Sequence, residues 1–224
     1  MTQNSDDEQT VDWMRVYQSN FESAAFGASK WIQKGVDLFE SAKMFEPKIL
    51  QVWEYWRAKS KSAQADHVPD YFHGTYFMLM SFSVENFLKA ALIQRSGISY
   101  KRDFRLCVAE RQHSKKCFPQ DLKTHDLFDL AVKAELELLD GEEDLLRRLS
   151  RCAEWAGRYP SPLRYEEMSG AEKFADGEIY SLSWFGGNDI AKLNTFIPSL
   201  PERLGLHTRH WEKTDHAHRN ADHG

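Results

Sequence analysis

The stretch Thr75-Tyr-Phe-Met-Leu-Met-Ser-Phe-Ser-Val-Glu85-Asn-Phe-Leu-Lys89-Ala-Ala-Leu-Ile93 decides the fold. At helical spacing it is apolar almost all round, so neighbours must cover every side of it. One face nevertheless carries Ser81, Glu85 and Lys89, with Asn86 alongside. Polar groups on a buried helix cost stability unless they are partnered. The helix is therefore expected at the centre of the fold, and the partners of Glu85 and Lys89 become the question to answer. These two residues are spaced i,i+4 in the order that favours an ion pair. They serve either as a pair that fixes helix register or as part of a polar pocket with His125.

Outward from this helix the chain reads as all-α, an antiparallel bundle of about six or seven helices. Val11, Met14, Tyr17, Phe21 and Ala25 recur at three- and four-residue steps over residues 10–27. A second helix is expected over 29–44, and a third follows Pro47, a residue suited to a first helical turn. The central helix is expected over about 70–96, ending near Gly97. Residues 98–123 have no sustained period and read as a loop. Helix returns at Thr124, a plausible N-cap, with Asp126 at the positive end of the dipole and a stripe from Leu127 to Leu138. After Asp140-Gly141, Glu142 opens a helix whose face is Leu145, Leu149, Cys152 and Ala156. The short connection implies an antiparallel pair. From residue 157 the chain is irregular, with a short alternating segment over 178–184, before a last helix over 189–199 ended by Pro201. We expect one domain over residues 1–200 and a loose tail over 201–224, which holds five of the nine histidines.

Composition excludes several classes. With 42% hydrophobic residues and fourteen Phe, the chain is not disordered. No uncharged apolar run reaches the roughly 18 residues of a membrane span, because Glu85 and Lys89 interrupt 76–93. The polar, acidic N-terminus is the opposite of a secretory leader. Three cysteines (Cys107, Cys117 and Cys152) form no even framework and suggest a reducing compartment. The expectation is a cytoplasmic protein without membrane attachment. Cys107, His113 and Cys117 share a loop but make a poor zinc set, and no phosphate-cradling Gly loop is present. No metal or cofactor is called for.

Net charge is −5, yet Lys101, Arg102, Arg105, Arg111, Lys115, Lys116 and Lys123 are opposed only by Asp103, Glu110 and Asp121 between residues 101 and 123. Such a patch either recruits a polyanion through counterion release or is an ordinary solvated loop.

Three pieces follow in order: Ser83-Val-Glu85-Asn86-Phe-Leu-Lys89-Ala, Thr124-His125-Asp126-Leu127 and Trp155-Ala-Gly-Arg158-Tyr159-Pro160. Together they resemble the HEPN superfamily (higher-eukaryote and prokaryote nucleotide-binding domains) over residues 70–165. The resemblance implies a helical bundle that forms homodimers and binds RNA or nucleotides, in many members within toxin–antitoxin or phage-defence systems. Nuclease members resemble one another in an Arg followed by His after four to six residues, which activates a ribose 2′-hydroxyl without metal. This chain departs there. No Arg precedes His125 at that spacing, and matches occur only at Arg203/His210 and Arg209/His216.

The candidate catalytic set is therefore His125, Glu85 and Lys89, with His125 suited to proton transfer or phosphate contact. Arg151, Arg158, Tyr159 and Asn86 are candidate ligand contacts. Arg158 sits in a turn where its fork clamps either a phosphate or Glu85 itself. Lys101, Arg102, Arg105, Arg111, Lys115 and Lys116 are the candidate nucleic-acid contacts. The alternatives are a catalytically silent module that binds a protein partner, or a metal-independent ribonuclease with a displaced Arg/His site.

Overall fold

The computed structural model describes residues 12–59, 73–110, 113–156, 171–173, 179–181 and 185–207. Its helices are α1 (Trp13–Ala25), α2 (Ala28–Lys43), α3 (Glu46–Lys59), α4 (His73–Ala109), α5 (Ser114–Cys117), α6 (Leu127–Lys133), α7 (Glu142–Arg151) and α8 (Gly187–Arg203). A 3-10 turn, Gln120–Leu122, precedes α6, and a π-helical turn, Cys152–Ala156, extends α7. The architecture is an all-α bundle around one long helix. Its one departure among the described residues is a small antiparallel pair, β1 (Ala171–Lys173) and β2 (Ile179–Ser181), in which Glu172 lies opposite Tyr180. The alternating segment expected over 178–184 contributes β2.

Helix α4 is the spine. Tyr76, Phe77, Met80, Val84, Phe87, Leu88 and Ala90 on it have no exposed surface. By length and composition it would cross a membrane, but most of its apolar window is buried among the other helices. Its closest neighbour is α2. A Cβ on Gly35 would lie 3.1 Å from the Phe87 ring, and one on Gly97 would lie 3.1 Å from the Phe26 carbonyl. The Ser83 hydroxyl also donates to the Gly35 carbonyl at 2.7 Å. Residue 26 therefore meets 97 while 35 meets 83–87, so the two helices run antiparallel. Glycine at these two points permits their close approach.

Helix α4 does not stop near Gly97. It continues to Ala109, so half of the expected 98–123 loop is helical. Two tertiary contacts hold this extension. Phe104 is buried against Phe21 and Phe26, at 5.3 Å and 5.5 Å between ring centroids. Glu22 of α1, nearly inaccessible, accepts hydrogen bonds from Arg105. Packing of this kind overrides a weak local pattern.

The other boundaries shift for local reasons. Helix α6 starts after Asp126, whose carboxylate accepts the Asp129 N–H at 3.0 Å, so Asp126 is the cap and Thr124 is not. The Thr124 hydroxyl instead accepts the Asp126 N–H. The helix ends early because Glu135 takes φ +54° and Leu136 N–H returns to the Ala131 carbonyl. The Ser150 hydroxyl accepts the Leu127 N–H at 2.9 Å, which sets the start of α6 against the end of α7 and makes the pair antiparallel, as expected. Helix α8 runs through Pro198 and Pro201 to Arg203, past the expected stop. Buried Ile197, Leu200 and Leu204 carry it into the core. The cysteines also differ from the expectation of no paired framework: Cys107 and Cys117 form a disulfide, and Cys152 alone is free and buried.

Replacement of Phe87, which has no exposed surface, tests the spine. Phe87→Ala is expected to cost about 3–5 kcal/mol in guanidinium unfolding. Leu139→Ala, at a side chain 62% exposed, is expected to stay within about 0.5 kcal/mol. Equal losses at the two positions would contradict the placement of α4.

Candidate functional site

Glu85 and Lys89 face the same way one turn apart on α4, and both are buried. Lys89 Nζ donates to Glu85 Oε1 at 2.6 Å. Its charge also lies 5.9 Å from the centre of the Trp31 ring of α2. Trp31 is fixed in turn by its own Nε1–H, which donates to the Ala25 carbonyl at 3.0 Å. The other carboxylate oxygen, Glu85 Oε2, is 2.8 Å from His125 Nδ1. An ionised carboxylate only accepts, so Nδ1 carries the hydrogen of this bond.

His125 is positioned by the backbone around it. The turn from Thr124 to Asp126 and the buried Leu127, whose N–H is held by Ser150, set the imidazole over Glu85. Phe82 flanks it, with ring centroids 6.5 Å apart. The three side chains form a graded series. Lys89 is 3% exposed, Glu85 8% and His125 40%, so the chain of hydrogen bonds runs from the interior to the surface. Burial alone would raise the Glu85 carboxyl. The His125 hydrogen bond and the charge and hydrogen bond of Lys89 outweigh it, so the group is held below its ordinary value.

Such an arrangement has a definite chemistry. A carboxylate on Nδ1 fixes the tautomer and the orientation of the ring. The far nitrogen, Nε2, is then left to donate to an anionic oxygen or to take a proton from a hydroxyl. Among the described residues nothing of the protein bonds to it. His73 makes the contrast. It packs among Trp53, Phe77 and Phe185, and burial, opposed by Asp189, pushes its pKa down to about 4. That ring is a packing element.

The remaining candidates divide. Asn86 donates its amide to the Phe82 carbonyl of its own helix at 2.7 Å and does not join the cluster. Arg151 follows Ser150 at the end of α7, so it lies at the same end of the bundle as His125, and it already has an interaction partner. Arg158 and Tyr159 lie outside the described residues, as do Arg111 and the Arg209/His216 pair. Both Glu85 oxygens have partners among the described residues. Arg203 is committed elsewhere, holding both Glu142 oxygens at 2.7 Å while its guanidinium lies 5.5 Å from the Phe196 ring.

The part of the basic patch on α4 is remote from the site and partly neutralised. The helical rise puts Lys101 about 24 Å and Arg105 about 30 Å from Glu85 along α4. Arg105 grips both Glu22 oxygens, and Lys101 Nζ is 3.4 Å from the same carboxylate. Arg102 pairs with Asp103 at 3.0 Å. Lys115 and Lys116 are exposed on the short α5. Glu22, a distant acid in sequence, is the residue that sequence reasoning missed. Arg147 and Arg148 are likewise structural. Arg147 lies 4.0 Å from the Phe128 ring and pairs with Glu143, while Arg148 ties Asp144 of α7 to Asp189 of α8. Their i−4 acids were the available signal.

Among the described residues no group of three His, Cys, Asp or Glu converges as metal ligands would. Compared with family models, curated proteins and solved structures, the chain matches none of them.

Two consequences can be measured. Glu85→Gln leaves Lys89 buried without its counter-charge, and should cost about 3–5 kcal/mol near neutral pH. Because the folded-state carboxyl lies below its unfolded value, its stabilisation is complete above the ordinary carboxylate range. It is lost as pH falls through the lowered value. Denaturant unfolding from about pH 7 to about pH 3 should therefore fall more steeply for the native chain than for Glu85→Gln. Parallel curves would remove the buried charge from the account.

Proposed function

We propose that this chain is a HEPN-like protein that dimerises and binds RNA or a nucleotide, with His125 as its phosphate contact and Arg151, at the same end of the bundle, as a second candidate. One observation carries the reading. Two segments that bear the resemblance, separated by forty positions, meet in one hydrogen bond between His125 and the buried Glu85. A partly exposed imidazole held in one orientation by a carboxylate presents Nε2 to an anionic ligand. With the α4 cations partly paired, Lys115 and Lys116, exposed on α5, would supply longer-range attraction in this reading. A role in bacterial defence or a toxin–antitoxin pair belongs to the same proposal.

A second reading, a metal-independent ribonuclease, is favoured by a specific feature of the same group. With Nδ1 held by Glu85, Nε2 is placed as a general base for a ribose 2′-hydroxyl. In this reading Glu85 and Lys89 act through His125 and touch no substrate.

The test is binding and cleavage of labelled single-stranded RNA in EDTA at low and high salt. Binding should weaken as salt rises, and His125→Ala should weaken it about tenfold or more with the fold intact. Cleavage lost in His125→Ala would select the ribonuclease. An intact chain that neither binds nor cleaves would overturn both readings in favour of a protein-binding module, for which the exposed Trp13, Met14 and Tyr17 of α1 would be the first surface to probe.

A further inference from the structure

The far end of α4, well away from His125, carries a device that the proposed function does not use. Cys107 in the last turn of α4 is bonded to Cys117 at the end of α5, with Cα atoms 5.6 Å apart. Both are half-buried and so within reach of small thiols. The next residue, Phe118, stacks on Phe26 at 6.1 Å and meets Phe21 edge-on at 6.3 Å. Phe104, one turn before Cys107, closes the other side of the same rings. Phe26 and Phe104 belong to a satellite cluster apart from the main core, and Phe118 packs against both. These rings dock α1, whose inward contacts are otherwise few: Ala25 and Glu22 are its buried residues. We propose that the Cys107–Cys117 bond is a redox latch that holds α5 and Phe118 in this cluster, and so decides whether α1 stays docked.

The latch is needed because α5 has four residues, too few to hold a helix by itself. Beyond it the chain is anchored again by the Tyr100 hydroxyl on Asp121 and by buried Leu122. Release is thereby confined to the segment around α5 and to α1. The other tether of α1 joins the nearly inaccessible Glu22 to Arg105 and Lys101, whose side chains are 57% and 39% exposed. On reduction, the groove of about 540 Å³ lined by Met14, Tyr17, Phe21, Phe104, Val108 and Ser114 loses a wall, and the aromatic face of α1 opens.

The chemistry is thiol–disulfide exchange with a low-molecular-weight disulfide such as oxidised glutathione. One protein thiolate attacks it, forming a mixed disulfide and releasing one thiol. The second protein thiolate displaces the other, so two protein thiols are oxidised and one small disulfide is reduced to two thiols. Cys152 takes no part. It is buried on the far helix, and burial pushes its thiol up to about 12, which leaves it inert. In a reducing compartment, disulfides are characteristically transient and regulatory.

Hydrogen exchange of the full chain, equilibrated with either oxidised glutathione or dithiothreitol, tests the latch, with alkylation counting free thiols. Alkylation under denaturing conditions should find one thiol in the oxidised chain and three in the reduced one. Reduction should speed exchange over residues 16–25 and 114–118 by about tenfold or more, leaving 76–93 unchanged. Cys117→Ser and Cys107→Ser should each show the fast pattern in both buffers, and Cys152→Ser should behave as the native chain. Three free thiols after equilibration with oxidised glutathione would overturn the latch. So would exchange in α1 that is the same in both states.

Discussion

The Glu85 carboxylate is the constraint around which the rest of the molecule is arranged. A charge buried on a core helix is tolerated when each oxygen has a donor, and here Lys89 fills one from the same helix and His125 the other from the chain before α6. The first bond is local and forms with the helix. The second is possible only when the α6–α7 pair has docked, since Ser150 of α7 holds the backbone next to His125. Satisfying one buried charge therefore couples the spine to the hairpin beside it. It also brings an imidazole to the surface in a defined orientation.

Much of the helical order was legible because burial imposes a period on sequence. The all-round apolar run on α4 required a central position, and its polar face required partners. Glu85–Lys89 followed from spacing, while His125 was one of two residues offered as a partner for Glu85, the other being Arg158. The extension of α4 to Ala109 was not legible. Four of its twelve residues are charged and they follow no helical stripe; what keeps them helical is Phe104 meeting Phe21 and Arg105 meeting Glu22 across a long sequence interval. Nor could counting cysteines reveal that two of three pair, since pairing depends on where α5 folds back.

The same long-range effect redraws the electrostatics. By sequence, residues 101–123 form a positive segment on an acidic chain. In the fold Glu22 sits under Arg105 and Lys101, held below its ordinary value chiefly by the Arg105 hydrogen bond. The charge excess is thus partly structural, fastening α1 to α4. The arginines of α7 behave alike, their guanidiniums covering aromatic rings while carboxylates a turn away balance them. Cation density in this chain is a poor guide to ligand surface. Among the described residues the His125 imidazole differs from these cations in having one nitrogen held and the other without a protein partner.

The account depends on that imidazole being set by Glu85, which nitrogen NMR of the His125 ring reads directly. In neutral His125 the hydrogen should reside on Nδ1 in the native chain and move to the Nε2 form favoured by free histidine in Glu85→Gln. An Nε2-protonated ring in the native chain, unchanged by Glu85→Gln, would contradict the account.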